Sequence, residues 1–550
     1  DGASTITIGN DADITADSIA TATPSGGTIA VGLASGVGLA EFKAEVERET
    51  AAYVGARAGV DPIGTAVVSL GDNQLNVKAN ATLTATADNF VGGFGLLGGA
   101  AASKSTATVN GQTLAYVGQG AQVNAGGVDI EAFSTDTAYA SNRVASAAAG
   151  VGVKTAQADA IVSSRTEAFI GAFAGTAADT DAMGVNVGTT GTIKVDADSE
   201  MTATSESRGG GFAGGASLSF FKPTATVSGA TRAYVRDGVD IDAGSLSVTA
   251  GESADKVVYK ATATALAVDV AFGAAAQDLQ GVAIVSGVTE AFLGASRDIA
   301  GAGNPTADIH ISNTAAPLTV SAVSDIDAVA SVNGGGGSLL VTVAALRPRA
   351  EAGGATRAFV NDGVNLVGPD LKLYADGDAL ADADLFSLTL SAGASVGLLK
   401  PVAEVKNNVE AFLGRGLDEG TADAANITLS GAADIDAVGR SVADSKAAGL
   451  AIALGVGVND VNAEARLSGK TQAYIGKQTT LGATSVDLRA EEATARAKAD
   501  IDAGAGGLIA AINSLEPIAI GSRETAALVG DNSTVTLSGS LTATARTETG

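Results

Sequence analysis

The 550-residue chain contains no cysteine, no tryptophan and a single histidine. The lack of cysteine excludes disulfides, thiol nucleophiles and cysteine-zinc sites, and a single histidine excludes most histidine-based catalytic and metal centres. Aromatic residues amount to 4% of the chain, although hydrophobic residues amount to 46%. Because large side chains usually fill a thick core, this composition predicts thin layers packed through small side chains.

The chain is also poor in basic residues. Sixty acidic residues against 33 basic ones give a formal net charge of −27. Such a chain repels phosphate groups, so a nucleic-acid partner is excluded and adsorption to anionic membranes is disfavoured. Uncharged stretches at 18–40, 105–128 and 328–346 are interrupted by glycine or polar residues, and we predict no membrane insertion. A first residue other than Met and a last residue in mid-pattern indicate a processed chain or a piece of a longer one.

A short motif, Thr-x-Ala-aromatic-aliphatic-Gly in its fullest form, recurs along the chain in phase with glycine-rich tracts. Leu528 stands at the aromatic position of a degenerate last copy. The other aromatic positions are Tyr53, Tyr116, Phe169, Tyr234, Phe292, Phe359, Phe412 and Tyr474. We therefore predict one continuous repeat array over 1–550, with about nine units of ~60 residues and incomplete units at both ends. The approximate unit boundaries are residues 50, 113, 166, 231, 289, 356, 409, 471 and 525.

Between the motifs, polar and apolar residues alternate with a period of two, which is typical of β-strands. Alanine-rich stretches such as 40–47 would also suit a helix, but the density of Gly, Thr and Val favours an all-β fold. We predict an elongated β-solenoid or β-prism, with stacked sheets of long antiparallel hairpins as the alternative. Runs of about 20 residues exceed ordinary strands, so bulges or short breaks are expected.

The spacing between motifs alternates between long and short. This alternation predicts that two units form one layer of about 120 residues. One large ring per unit predicts an aromatic ladder along the axis, and a carbohydrate-binding aromatic stripe is the alternative.

Pairs of aspartates at i and i+2 are the candidate metal ligands. On a strand both carboxylates of a pair share one face, which suits loose Ca²⁺ binding or a glycosidase, although the calcium-binding nonapeptide is absent. A solvated acidic surface is the simpler interpretation, and we predict neither a catalytic site nor an organic cofactor. The pairs are Asp240 and Asp242, Asp325 and Asp327, Asp434 and Asp436, and Asp500 and Asp502.

The motif, the run that follows it and the glycine-rich turn resemble the repeats of giant bacterial surface adhesins. Ala115–Ala125 (AYVGQGAQVNA) is similar to the AYIG-x-GA-x-V-x-A repeat of leukotoxin-like filamentous adhesins, which are related in style to filamentous haemagglutinins. The resemblance spans essentially the whole chain. It implies secretion, a β-solenoid fold and a role in adhesion or in cell-surface filaments.

The leading hypothesis is a non-enzymatic structural protein, either a self-assembling extracellular filament or an adhesin stalk on a bacterial surface or in a biofilm. Its expected partners are further copies of itself, joined end to end, and other cells or glycans. In one form of this hypothesis, 1–50 and 525–550 together complete one unit across a junction between copies. The alternatives are a module that binds glycans or ice and a carbohydrate-active β-helix enzyme.

Overall fold

The computed structural model describes residues 4–58, 65–173, 185–252, 256–295, 307–313, 316–417 and 424–549. These segments contain strands and connections but no helix, and therefore none that is long and apolar enough to cross a membrane. The stretch 40–47 lies within a strand, so its helical interpretation is wrong. The chain winds repeatedly through three parallel sheets, which gives an all-β solenoid.

The short sheet is built from strands of four or five residues, most of which alternate between buried apolar side chains and more exposed ones. These strands are β1 (Ser4–Thr7), β5 (Ala66–Ser69), β8 (Ala121–Ala125), β12 (Val185–Thr189), β16 (Val239–Ala243), β21 (Ala307–Ile311), β25 (Val364–Gly368), β29 (Ala425–Leu429), β33 (Thr479–Ala483) and β37 (Thr534–Leu537).

The long sheet follows the short sheet in each coil, and most of its strands contain 20 or more residues. Its strands are β2 (Ala12–Ala22), β3 (Ser25–Gly32), β6 (Gln74–Gly95), β9 (Gly127–Ala148), β13 (Thr192–Ala213), β17 (Ser245–Ala250), β18 (Val257–Ala271), β22 (Leu318–Ser338), β26 (Leu371–Ser391), β30 (Ala433–Ala453), β34 (Val486–Gly507) and β38 (Leu541–Thr549).

The motif sheet returns from the far end and carries the aromatic motifs. Its strands are β4 (Ser35–Val54), β7 (Gly98–Val117), β10 (Val151–Val162), β11 (Arg165–Ile170), β14 (Ala216–Val227), β15 (Ala230–Val235), β19 (Ala274–Leu279), β20 (Val282–Leu293), β23 (Val341–Leu346), β24 (Arg349–Val360), β27 (Ala394–Leu399), β28 (Val402–Leu413), β31 (Val456–Leu467), β32 (Lys470–Ile475), β35 (Ala510–Gly521) and β36 (Glu524–Val529).

Strand pairing shows that each unit of about 60 residues is one coil. Tyr53 pairs with Tyr116, and Tyr116 pairs with Phe169, so equivalent residues of successive units are direct neighbours. The strands of all three sheets pair in parallel across the described residues, which contradicts the antiparallel hairpins. The predicted layer of two units is also wrong. The alternating spacing arises instead from the length of the connection between the motif strand and the next short strand. This connection is short in one coil (236–238) and long in another (171–184).

The expected breaks and bulges occur in some of the long strands and not in others. β6 and β9 each run for 22 residues without interruption, whereas the motif sheet breaks at 163–164 between β10 and β11. The long sheet breaks between β17 and β18, and its register shifts between β30 and β34 after Gly439. A strand of 22 residues spans roughly 70 Å, and eight steps between coils at about 4.8 Å span only about 40 Å. The described coils therefore form a plate that is wider along its strands than it is long along its axis.

The interior consists of apolar clusters separated by polar bands. Alanine and valine dominate these clusters, in agreement with the predicted small side chains. Hydroxyl groups bridge the sheets in one band, where Ser134 Oγ lies 2.7 Å from Thr166 Oγ1 and Ser199 Oγ lies 2.6 Å from Thr231 Oγ1. These bonds satisfy buried polar groups that would otherwise oppose folding.

The glycine-rich tracts form the turns between the long sheet and the motif sheet. A side chain at Gly93 would place its Cβ 1.9 Å from the backbone oxygen of Ala100, so only glycine allows the two strands to approach this closely. Each coil contains one such turn. We call the segment of eleven residues centred on the first residue of this turn a turn window. The turn windows are 28–38, 91–101, 144–154, 209–219, 267–277, 334–344, 387–397, 449–459 and 503–513.

Candidate functional site

The motif rings lie in one column along the motif sheet, and successive rings are nearly parallel. Their centroids are 4.5–5.0 Å apart with interplanar angles of 2–5°, from Tyr53 through Tyr116 to Tyr474. Parallel, in-register pairing imposes this spacing because each ring sits on the strand directly above its counterpart. The column follows from one aromatic residue at the same position of every coil.

The ring column lies outside the two-sheet interior, under the segments that follow the motif. Ala168 and Ile170 face the main apolar cluster, so the intervening Phe169 points the opposite way. Phe173 and Leu417 pack against the column from outside. From Tyr116 to Tyr474 the rings are buried, whereas Tyr53 is 38% exposed. Buried rings cannot stack on a sugar, so this column does not provide the carbohydrate-binding stripe.

A ladder of alternating charges runs beside the rings, two residues before each ring. Its members, which we call the charge ladder, are Glu167, Arg232, Glu290, Arg357 and Glu410. Arg232 Nε donates to Glu290 at 2.9 Å, and Arg357 donates to Glu290 at 2.9 Å and to Glu410 at 2.8 Å. Glu290, which lies between the two arginines of the ladder, is therefore neutralised from both sides.

Burial makes the charge ladder energetically sensitive. Burial by itself would raise the pKa of Glu290, but the guanidinium groups of Arg232 and Arg357 outweigh it and hold the pKa below its ordinary value. Glu290 therefore stays ionised inside the protein. Removal of one partner from such an array would leave a buried charge without compensation.

A second buried ion pair lies near the turn at the far end of the interior. Lys154 on β10 contacts Asp269 on β18, two coils away, and both side chains are inaccessible to solvent. Ser217 donates to Asp269 at 2.6 Å, and Gln277 donates to the other carboxylate oxygen at 3.0 Å. Both oxygens of Asp269 thus have partners, and the pair ties three coils together.

The structure does not bring the predicted acidic pairs together. Asp240 and Asp242 lie exposed on β16 in the short sheet. The other three pairs lie on the long sheet at three different heights. Strand pairing allows each pair to be compared with a position on β22. Asp434 is level with Thr319 of β22, Asp325 lies six residues further along the strand, and Asp500 is level with a position twelve residues further.

None of these pairs belongs to a larger group of metal-ligating side chains within the described residues. Across the described ranges, no group of three or more His, Cys, Asp or Glu side chains is arranged to hold a metal ion. Burial raises the pKa of Asp325 first, and Asp327 and Asp378 raise it further. The imidazole Nδ1 of the single histidine, His310, lies 3.1 Å from Asp242 Oδ1 on the exposed short sheet. These side chains lie at the protein surface.

One depression on the long sheet combines a ring with polar groups. It has a volume of about 660 Å³ and is lined by Phe386, Asn333, Lys446 and the Asp500 and Asp502 pair, among others. Phe386 is 51% exposed. An exposed ring beside carboxylate and amide groups is chemistry that suits a carbohydrate ligand.

The charge ladder was not predicted from the sequence, although its signal is present in the motif. The residue between Thr and Ala, or between Val and Ala in the copy at Phe412, alternates between Glu and Arg in five consecutive copies. Strand alternation places this position on the face opposite the apolar core, yet Glu167, Arg232, Glu290 and Glu410 are buried there. No protein-family model, curated protein or solved structure matches this chain.

Proposed function

We propose that the chain is a structural extracellular protein, a building block of a surface filament or adhesin stalk. The observation that carries this proposal is the continuity of the stack. Three sheets, the ring column and the charge ladder pass from coil to coil without a break in register among the ladder coils. Such an arrangement would transmit force along the stack through backbone hydrogen bonds.

The outermost coils provide the surfaces for assembly. Among the described residues, β4 pairs only with β7, and β35 pairs only with β31. Unpaired sheet edges accept further parallel strands. Both terminal stretches contribute a short strand and a long-sheet strand, β1 with β2 and β37 with β38, so they overlap and would not complete one shared unit. Copies would therefore stack edge to edge.

Electron microscopy of the purified chain tests this proposal. We expect filaments with an axial repeat, unchanged by a calcium chelator because the described residues contain no group of three or more metal-ligating side chains. Glu464 in β31 donates its N–H to Pro401, on the side away from β35, and its partner in β35 is Ile518. Ile518 therefore directs its backbone groups toward β31. The next residue, Ala519, directs its N–H to the free side of β35. Ala519→Pro should therefore block growth while the coil stays folded, and Ala519→Ser is the control. Isolated plates at high concentration would contradict end-to-end assembly.

A second candidate is glycan binding at the depression around Phe386. It rests on the exposed ring beside Asn333, Asp500 and Asp502. A glycan array probed with the chain and with Phe386→Ala tests it. Binding that Phe386→Ala abolishes and Phe133→Ala retains would support this site, since Phe133 is an exposed ring elsewhere on the same sheet.

A further inference from the structure

One edge of the plate carries almost no charge. Charged residues make up 17% of the chain, yet the nine turn windows contain only Lys154 and Asp269. Both are buried and paired with each other, so neither contributes to the outer surface. We call this outer surface the uncharged edge. It runs along the axis past every turn between the long sheet and the motif sheet.

The uncharged edge is apolar as well as neutral. Large side chains project from the turns into solvent, with exposed fractions of 93% at Leu33, 63% at Leu340 and 81% at Leu508. Leu97, Phe272 and Leu454 are exposed turn residues of other coils, and the turns at 149–150, 214–215 and 392–393 consist of Ala and Gly. Soluble monomers rarely expose a contiguous apolar patch larger than a few hundred Å². A strip of this kind marks an interface.

The size of the strip matches a stable protein interface. Eight steps between coils give a length of about 40 Å, and two sheets about 10 Å apart with their side chains give a breadth of about 20 Å. The product is about 800 Å², which is what each partner of a standard-size complex buries.

Electrostatics favours another copy of the same chain at this edge. Two molecules with a charge of −27 repel each other wherever their acidic faces approach. Around the turn at 214–215, the nearest outward charges are Arg208 and Lys222, six and seven residues away, which is about 20 Å along a strand. That distance exceeds the Debye length of about 8 Å at physiological ionic strength.

We propose that two copies pair side by side through the uncharged edge, so that their apolar turns interdigitate. One such edge per copy gives a closed pair, in contrast to the open-ended growth expected at the strand edges. The proposal is independent of the proposed function, because the two associations use different surfaces.

Sedimentation velocity on the chain and two variants tests the pairing. Leu97→Glu/Leu340→Glu/Leu454→Glu should convert the pair into single copies, or halve the mass per length of any filament. The control Ile19→Glu/Phe133→Glu/Val367→Glu adds the same charge at exposed apolar positions outside the edge and should remain paired. Circular dichroism verifies that both variants keep their strands. A wild-type chain that is single at 100 µM, or edge variants that stay paired, would overturn the proposal.

A cross-link supplies a second readout because the chain has no cysteine. Phe272→Cys, in the middle coil of the edge, should form a disulfide between two copies on mild oxidation, whereas Val367→Cys should not. Flotation with phosphatidylcholine vesicles addresses the other occupant of an apolar edge. Binding to vesicles by single copies, without the Phe272→Cys cross-link, would assign the edge to lipid and refute the pairing.

Discussion

The phenolic hydroxyl of Tyr234 donates a hydrogen bond of 2.8 Å to Glu167 in the preceding coil. This bond connects the ring column to the charge ladder, two features that sequence position alone would treat as separate. Because Glu167 is inaccessible to solvent, its oxygens depend entirely on protein donors. The two columns therefore stabilise the stack as one unit.

Tyr234→Phe tests this connection. The ring still stacks, but one carboxylate oxygen of Glu167 loses its donor, and we expect the free energy of unfolding to fall by about 1–3 kcal/mol. The control is Tyr139→Phe, whose hydroxyl forms a longer bond of 3.3 Å to Glu206 on the outer face of the long sheet. Equal effects of the two variants in denaturant unfolding would contradict the connection.

Glu290→Gln removes the charge at the centre of the charge ladder. Arg232 and Arg357 would then lose the carboxylate that they share, and we expect a loss of about 3–5 kcal/mol in the free energy of unfolding. Glu47→Gln makes the same chemical change at an exposed position of β4 and should alter stability by less than about 0.5 kcal/mol. A stable Glu290→Gln variant would show that the ladder contributes little.

The burial of Asp136 leads us to expect a specific dependence of stability on pH. This carboxyl group faces the interior between Leu83 and Met201 of the adjacent coils, and burial raises its pKa from 3.8 to about 6, against the opposing effect of hydrogen bonds from Ser134 and Ser164. The folded state therefore binds this proton more tightly than the unfolded state does. The contribution of Asp136 to stability is greatest below about pH 4 and is lost as the pH rises through about 6.

Asp136→Asn should remove this loss. We expect the variant to exceed the wild type in unfolding free energy at pH 7.5 by up to about 3 kcal/mol, and by much less at pH 4.5. Asp240→Asn, on the exposed short sheet, is the control for the chemical change itself. A gain for Asp136→Asn that is equal at both pH values would contradict the assigned pKa.

Gln478 occupies a backbone conformation that favours glycine. Its φ is 57°, and the residues that precede the short strand in other coils are Gly120, Gly238 and Gly363. Gln478→Gly should relieve left-handed strain and stabilise the protein by about 0.5–1 kcal/mol, after the entropic cost of glycine. Gln478→Ala removes the same side chain without relieving the strain and should not stabilise. Hydrogen exchange of the amides in β33 measures the difference locally.

The sequence revealed the all-β repeat and the ring positions because both depend on spacing along the chain. Tyr53 and Tyr116 share a motif, and parallel pairing turns this shared position into a shared column. The division of the chain into coils was harder to predict. The alternating spacing reflects connections of different length after the motif, and a spacing pattern cannot distinguish an added connection from a second half-layer.

Burial of the charge ladder and scattering of the acidic pairs could not be predicted for another reason. The side chain of Glu290 is buried on the face opposite the apolar core, and period-two alternation gives no information about burial on that face. Asp325 and Asp434 share the same local pattern, but their separation depends on the register between strands.

The stacking of one unit per coil is the central claim, and a distance between spin labels tests it most directly. Gln122 and Asn426 are exposed on the short sheet, and the strand pairs connect them through Asn186, Asp240, Asp308 and Asn365. Five steps of about 4.8 Å predict a separation of about 24 Å between labels at Gln122→Cys and Asn426→Cys, measured by double electron–electron resonance. If two units shared each layer, these positions, five units apart, would lie on opposite halves of the layers with an axial offset of only about 12 Å. A separation that differs clearly from about 24 Å would therefore contradict the account.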